Sequence, residues 1–193
     1  MRDLVLHPKT TARLVLASVF LVGCAATSYQ APVAGLTAKL VVRNDSSGGN
    51  STLFTYGDLR SCGSLQRVVD GAPTMPEDFS VNVKAGAPIG FHYGSMVGGR
   101  YCAVTFQFTP APNGMYLLDL HSSAEGCAAG VYVVRNGQPI PESSRMRLVP
   151  NSTGASCSPA AAGSNTETEI RGVDGKSQSS RSGVTLDDLK GLK

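Results

Sequence analysis

The chain has 193 residues, enough for one domain of ordinary size, and 41% of these residues are hydrophobic. Its 22 glycines and 11 prolines favour turns and short strands over long helices. The formal net charge of +3 is too small to suggest a nucleic acid partner. The composition also excludes a polytopic membrane protein, a coiled coil and a fully disordered chain.

The first segment of the chain, residues 1–23, has the pattern of a secretory signal peptide. Several basic residues precede an apolar run from Leu14 to Gly23. Ten helical residues extend about 15 Å, roughly half the thickness of a bilayer's hydrocarbon core, so this run is too short for a stable membrane span. A basic region followed by a short apolar region predicts a signal peptide that is removed after export.

The apolar run ends in Leu21-Val22-Gly23-Cys24, which resembles the lipobox of bacterial lipoproteins. The resemblance implies that Cys24 receives a thioether-linked diacylglycerol and that the signal is cut before it. Two or three acyl chains, such as palmitate, then hold a protein on a bilayer far longer than one chain does. Ala25, rather than Asp, follows the cysteine. By the sorting rule of such lipoproteins this implies the outer membrane, on its periplasmic or its surface face.

Four cysteines remain after Cys24, namely Cys62, Cys102, Cys127 and Cys157. An even number in an exported protein predicts two disulfides, with three possible pairings. A hairpin over residues 101–120 returns the chain beside its own start, which favours Cys102–Cys127 together with Cys62–Cys157. Cys62–Cys102 with Cys127–Cys157 remains an alternative. If successive long strands alternate up and down, all four cysteines lie at one end of the domain.

The body of the chain predicts an all-β domain over residues 37–157. Short apolar runs alternate with turn sequences, and the clearest run, Tyr101–Thr109, alternates strictly between apolar and more polar positions. Asn113-Gly114 and Asn136-Gly137 are typical of tight hairpin turns. The pattern predicts an antiparallel β-sandwich of about seven or eight strands, in an immunoglobulin-like or transthyretin-like arrangement.

The segments on either side of this domain differ in composition. Residues 24–36 are small and polar, which predicts a lipid-anchored tether, with a first edge strand as the alternative. Residues 158–183 are rich in Ser, Gly and Ala and predict a disordered tail. In residues 184–193 leucines recur every three positions behind a capping pattern, which indicates a possible short helix.

Catalytic chemistry finds little support in the sequence. Asp119 and His121 are two residues apart, so on a strand they share one face and with a serine could imitate a catalytic triad. A polar, solvent-facing strand explains this pair more simply, because no nucleophile-elbow or phosphate-loop motif is present. The remaining cysteines form no C-x-x-C pair, and only His92 and His121 follow Cys24. We therefore expect no catalytic residue, no metal site and no cofactor.

Aromatic side chains suggest a different kind of site. Tyr56, Tyr93, Tyr101 and Tyr132 could stack on sugar rings or pack on peptide, although tyrosines at the rim of a strand core are the simpler interpretation. His92 lies between Phe91 and Tyr93 in a predicted strand and points away from both, which predicts a surface or edge position.

These observations favour a non-enzymatic, outer-membrane-anchored lipoprotein that serves as a structural or interaction module of the bacterial envelope. The expected partners are the membrane, through the lipid on Cys24, and an envelope protein. One alternative is a glycan- or peptide-binding module. Another is an accessory lipoprotein of a secretion machine, since the chain is similar to the transthyretin-like lipoprotein of the type VI system in anchor, size and expected fold, without a motif match.

Overall fold

The computed structural model describes residues 26–46, 50–69, 75–150, 156–160 and 169–171. These ranges contain thirteen strands. They are β1 (Thr27–Ser28), β2 (Thr37–Ser46), β3 (Asn50–Asp58), β4 (Gly63–Arg67), β5 (Asp78–Lys84), β6 (Ile89–Val97), β7 (Arg100–Phe108), β8 (Met115–Ser123), β9 (Gly126–Arg135), β10 (Gln138–Pro141), β11 (Met146–Pro150), β12 (Cys157–Pro159) and β13 (Glu169–Arg171). None of the described residues belongs to a helix that could span a bilayer.

The strands form two sheets that pack face to face, which confirms the predicted all-β sandwich. The first sheet has the order β1-β4-β3-β6-β7-β11-β12, and the second has the order β10-β9-β8-β2-β5 with β13 also paired to β9. Most neighbours are antiparallel, but β1 pairs with β4 and β2 pairs with β8 in parallel, so both sheets are mixed. The strand count exceeds the prediction because several short edge strands add to the long ones.

The core lies between the two sheets and follows the period of two that the sequence shows. In β7, Phe106 and Phe108 point inward and are fully buried. Their rings stack on Phe91 of β6 at centroid distances of 5.8 and 6.0 Å. Leu40 and Leu118 of the second sheet belong to the same core cluster. Burying aromatic side chains of this size contributes most of the driving force for joining the sheets.

One end of this core contains a buried polar layer. The Tyr93 hydroxyl donates to Asn44 Oδ1 at 3.2 Å, and the Asn44 amide donates to Ser51 Oγ at 3.0 Å. The hydroxyls of Ser95 and Ser122 lie 2.8 Å apart and join the two sheets. Because buried polar groups cost free energy unless they are paired, this set of bonds fixes how the sheets face each other.

Both disulfides have the pairing that the hairpin argument favours. Cys102 of β7 bonds to Cys127 of β9 with a Cα–Cα distance of 5.8 Å, and this bond connects the two sheets beside the polar layer. Cys62 bonds to Cys157 with a Cα–Cα distance of 5.2 Å and ties the turn before β4 to β12.

The prediction that all four cysteines lie at one end is wrong. Cys102 aligns with Ser95, and Ser95 aligns with Ser51 near the start of β3. Cys62 follows the end of β3, so Cys62 and Cys102 lie at opposite ends of the first sheet. The error comes from β4, whose sequence GSLQR contains only one large apolar residue and so shows no alternation that would predict a strand. Counting β4 as a strand reverses the direction of every later strand and places Cys102 and Cys127 at the opposite end from Cys62.

The segments outside the sandwich are described only in part. Residues 1–23, Cys24 and the possible helix at 184–193 lie outside the described residues. In the predicted tether, Thr27 and Ser28 pair with β4, so this segment contains the short edge strand that was the alternative. Val33 and Leu36, which follow, are exposed.

The described residues of the predicted tail include two short strands, the end of β12 and β13. Ser158 pairs with Val149 in β12, and the Ala160 amide donates to the Arg147 carbonyl at 2.9 Å. The backbone of β13 pairs with β9, where Ile170 aligns with Ala129. The backbone groups of an edge strand can pair with the backbone of another segment even when that segment has few apolar side chains. The disulfide at Cys157 also holds β12 in place.

Candidate functional site

A row of polar and aromatic side chains crosses the outer face of the first sheet. Phe54 of β3 aligns with His92 of β6, and His92 aligns with Thr105 of β7. Their neighbours in each strand point into the core, so these three side chains share the opposite face. This is the surface position that alternation with Phe91 and Tyr93 predicts for His92, which is half-buried there.

Both ring nitrogens of His92 have hydrogen-bond partners. Nδ1 lies 2.9 Å from Thr105 Oγ1, and Nε2 lies 3.2 Å from the Tyr101 hydroxyl. Burial lowers the pKa of His92 below its ordinary value of 6.5, which keeps the ring neutral at pH 7. A neutral imidazole donates through one nitrogen and accepts through the other, so the two bonds fix the orientation of the ring.

Tyr101 leans across the sheet toward His92 instead of projecting into solvent. A Cβ atom added to Gly94 would lie only 2.7 Å from the Tyr101 hydroxyl oxygen, so the absence of a side chain at Gly94 makes room for the ring. Tyr101 is nevertheless 56% exposed. Desolvation raises the pKa of Tyr101, so its hydroxyl stays uncharged at neutral pH.

Phe54 and Arg67 extend the row toward β4. The Phe54 and His92 ring centroids are 6.5 Å apart, and the Arg67 guanidinium carbon lies 5.6 Å from the centre of the Phe54 ring. We call Tyr101, His92, Phe54 and Arg67 the aromatic row. It crosses the four strands β7, β6, β3 and β4, a width of about 14 Å at the usual strand spacing. The row combines apolar ring faces with hydrogen-bond donors and acceptors.

The four tyrosines singled out in the sequence fall into different environments. Tyr93 is in the core, and Tyr56 is buried on the outer face, close to Gly90. Tyr132 lies across Gly130 on the outer face of the second sheet. Tyr101 alone among these four belongs to the aromatic row. The sequence did not identify Phe54 or Arg67, because strand alternation places a residue on a face without showing which strands are neighbours.

The structure does not assemble Asp119 and His121 into a catalytic pair. The Arg43 guanidinium donates to both Asp119 carboxylate oxygens at 2.9 and 3.0 Å. His121 Nδ1 instead faces an Asp45 carboxylate oxygen at 3.7 Å. Because both Asp119 carboxylate oxygens accept hydrogen bonds from Arg43, this carboxylate does not orient the His121 imidazole. The two residues occupy the polar outer face that the sequence predicts.

Among the described residues, no group of three histidine, cysteine or acidic side chains could hold a metal ion. In comparisons with known proteins, no family model and no curated protein matches the chain.

The buried position of His92 predicts a pH-dependent stability. In the unfolded chain this histidine takes up a proton as the pH falls through about 6.5, whereas in the folded protein its pKa is lower. The unfolded state therefore binds more protons between the two pKa values. The free energy of unfolding should fall as the pH drops from 7.5 through 6.5 and should level off below the folded pKa.

Urea denaturation at a series of pH values between about 7.5 and 5.5 measures this slope. The variant His92→Gln should flatten it, and the control variant His121→Gln on the second sheet should keep it. An unchanged slope in His92→Gln would show that another group causes the pH dependence.

Proposed function

We propose that the protein is a non-enzymatic, lipid-anchored lipoprotein of the bacterial envelope and that its sandwich is a structural or interaction module. The pair of disulfides supports the exported location, and the sequence Leu21-Val22-Gly23-Cys24 supports the lipid anchor. Disulfides persist in oxidising compartments and are rare in the cytosol. Cys102–Cys127 joins the two sheets and Cys62–Cys157 ties a turn to an edge strand, so the fold depends on an oxidising environment for both connections.

The position of β1 supports an anchor close to the domain. Thr27, the first residue of β1, is three residues after Cys24 in the sequence. Three extended residues reach about 10 Å, so a lipid on Cys24 would hold this edge of the first sheet near the bilayer surface. Tyr29 strengthens the same edge, because its amide donates to the Arg67 carbonyl at 2.8 Å and its hydroxyl donates to the Asn82 carbonyl at 3.1 Å.

The outer face of the second sheet supports the non-enzymatic part of the proposal. Asp119 accepts hydrogen bonds from Arg43, and the carboxylate facing His121, that of Asp45, lies 3.7 Å from Nδ1, beyond hydrogen-bond distance. A general base needs an orienting partner and a nucleophile within hydrogen-bond reach.

The variant Cys24→Ser tests the anchor. We expect the wild-type protein to incorporate a labelled fatty acid and to sediment with membranes, and we expect Cys24→Ser to remain an unlabelled precursor. Serine has no sulfur to form the thioether, which is why this single change should abolish the modification.

The control variant Ala25→Ser keeps the LVGC sequence and should be labelled like the wild type. Label retained on Cys24→Ser, or no label on the wild type, would contradict a lipid at Cys24.

A further inference from the structure

The aromatic row is built before any ligand arrives. The Tyr101 hydroxyl is held by His92, and His92 is held in turn by Thr105. Gly94 leaves the space that lets the Tyr101 ring lie along the sheet. These side chains are already ordered by their own hydrogen bonds. They would therefore lose little additional conformational entropy when a ligand stacks on them.

The chemistry of the row matches a saccharide. A pyranose ring has an apolar face of C–H groups that stacks on an aromatic ring, and its rim carries hydroxyls that need donors and acceptors. Tyr101 supplies an exposed ring face, and the Arg67 guanidinium, which lies over the Phe54 ring, supplies hydrogen-bond donors at the β4 end of the row.

An extended peptide fits this surface less well. Peptides that bind β-sheets usually add a strand to a free edge and use their backbone hydrogen bonds. The row is centred on β3 and β6, and each of these strands is already paired on both sides. Recognition there has to come from side chains alone.

A phospholipid surface also fits less well. Aromatic residues that anchor a protein in a bilayer project their rings into the interface, whereas Tyr101 leans over Gly94 and is bonded to His92. Inserting the row into a bilayer would also remove water from the half-buried His92 and from the exposed Tyr101 hydroxyl without providing new partners.

We propose that the aromatic row binds a chain of pyranose sugars, with one ring stacked on Tyr101. Its width of about 14 Å admits a short oligosaccharide rather than a single sugar. This binding does not depend on a lipid at Cys24, so it stands or falls separately from the membrane anchor.

The test is isothermal titration of the purified full chain in mild detergent with three probes: cellotetraose, chitotetraose and maltotetraose. We expect at least one of these tetrasaccharides to bind the wild type. Tyr101→Ala should weaken that binding at least tenfold. Tyr101→Leu keeps an apolar side chain over Gly94 but lacks a flat ring, so it should also weaken tetrasaccharide binding at least tenfold.

The matched control is Tyr132→Ala, because Tyr132 covers Gly130 on the other sheet much as Tyr101 covers Gly94. This control should bind the tetrasaccharide within twofold of the wild type, and the thermal midpoint of each variant checks its folding. The proposal is overturned if no tetrasaccharide binds the wild type, or if Tyr101→Leu binds as the wild type does. It is also overturned if the row instead binds vesicles of phosphatidylethanolamine and phosphatidylglycerol, with no tetrasaccharide bound.

Discussion

Replacing both Cys62 and Cys157 by alanine is expected to lower the free energy of unfolding by about 4–5 kcal/mol, the loop-closure value for a loop of roughly this length. The two cysteines are 95 residues apart in sequence, so their bond restricts most of the described domain in the unfolded state. The same bond holds β12 beside the turn that precedes β4. Urea denaturation of the oxidised wild type and the double variant measures the difference.

The control for this prediction is Ser158→Ala, which changes an exposed residue next to Cys157 and should alter the free energy of unfolding by less than about 0.5 kcal/mol. A loss below about 2 kcal/mol in the double variant would mean that the Cys62–Cys157 bond does not constrain the unfolded chain as proposed.

Phe106→Ala is expected to lower the free energy of unfolding by about 3–5 kcal/mol, the usual range for removing a buried phenylalanine ring. Phe106 is 0% exposed and stacks on Phe91 at 5.8 Å between the centroids. The Cys102–Cys127 disulfide and the hydrogen bond between Ser95 and Ser122 hold the two sheets together, so the cavity left by the ring cannot fully close. The urea midpoint should therefore fall clearly, with little change in the denaturant slope.

The neighbouring variant Gln107→Ala provides the comparison. Gln107 is on the outer face of the same strand, and its amide contacts the Met146 sulfur at 3.9 Å. We expect Gln107→Ala to lower the free energy of unfolding by no more than about 0.5–1 kcal/mol. Similar losses for the two variants would contradict the assignment of Phe106 to the core and of Gln107 to the surface.

The core was the most predictable part of the structure. In β7, strict alternation identified Phe106 and Phe108 as inward-facing, because a strand that covers a core must hide every second side chain. The hairpin at Asn136-Gly137 was also predictable, because Asn and Gly are the residues that most readily adopt a positive φ. In the structure these two residues have φ angles of 52° and 75°. At Asn113-Gly114 only Asn113 has a positive φ, so the same dipeptide forms a different turn.

Long-range arrangement was less predictable than local structure. β4 contains few large apolar residues, so its period was weak in the sequence, and omitting it reversed the inferred direction of the later strands. β12 and β13 are held by backbone pairing and, for β12, by the Cys157 disulfide. None of these contributions appears in hydrophobic periodicity.

The aromatic row shows the same limit for a candidate site. The alternation around His92 placed it on the outer face, but its partners come from two other strands, β3 and β7. Only the register of the first sheet brings Phe54 beside His92. A single sequence does not show which residues of two different strands lie opposite each other.

The most direct test of the account is the chemical state of the five cysteines in protein taken from cells without reduction. Free thiols are alkylated first, and the peptides are then analysed by mass spectrometry. We expect two linked peptide pairs, Cys62 with Cys157 and Cys102 with Cys127, and a diacylglycerol on Cys24. Alkylation of any of the four domain cysteines, or an unmodified thiol at Cys24, would contradict an exported, lipid-anchored sandwich.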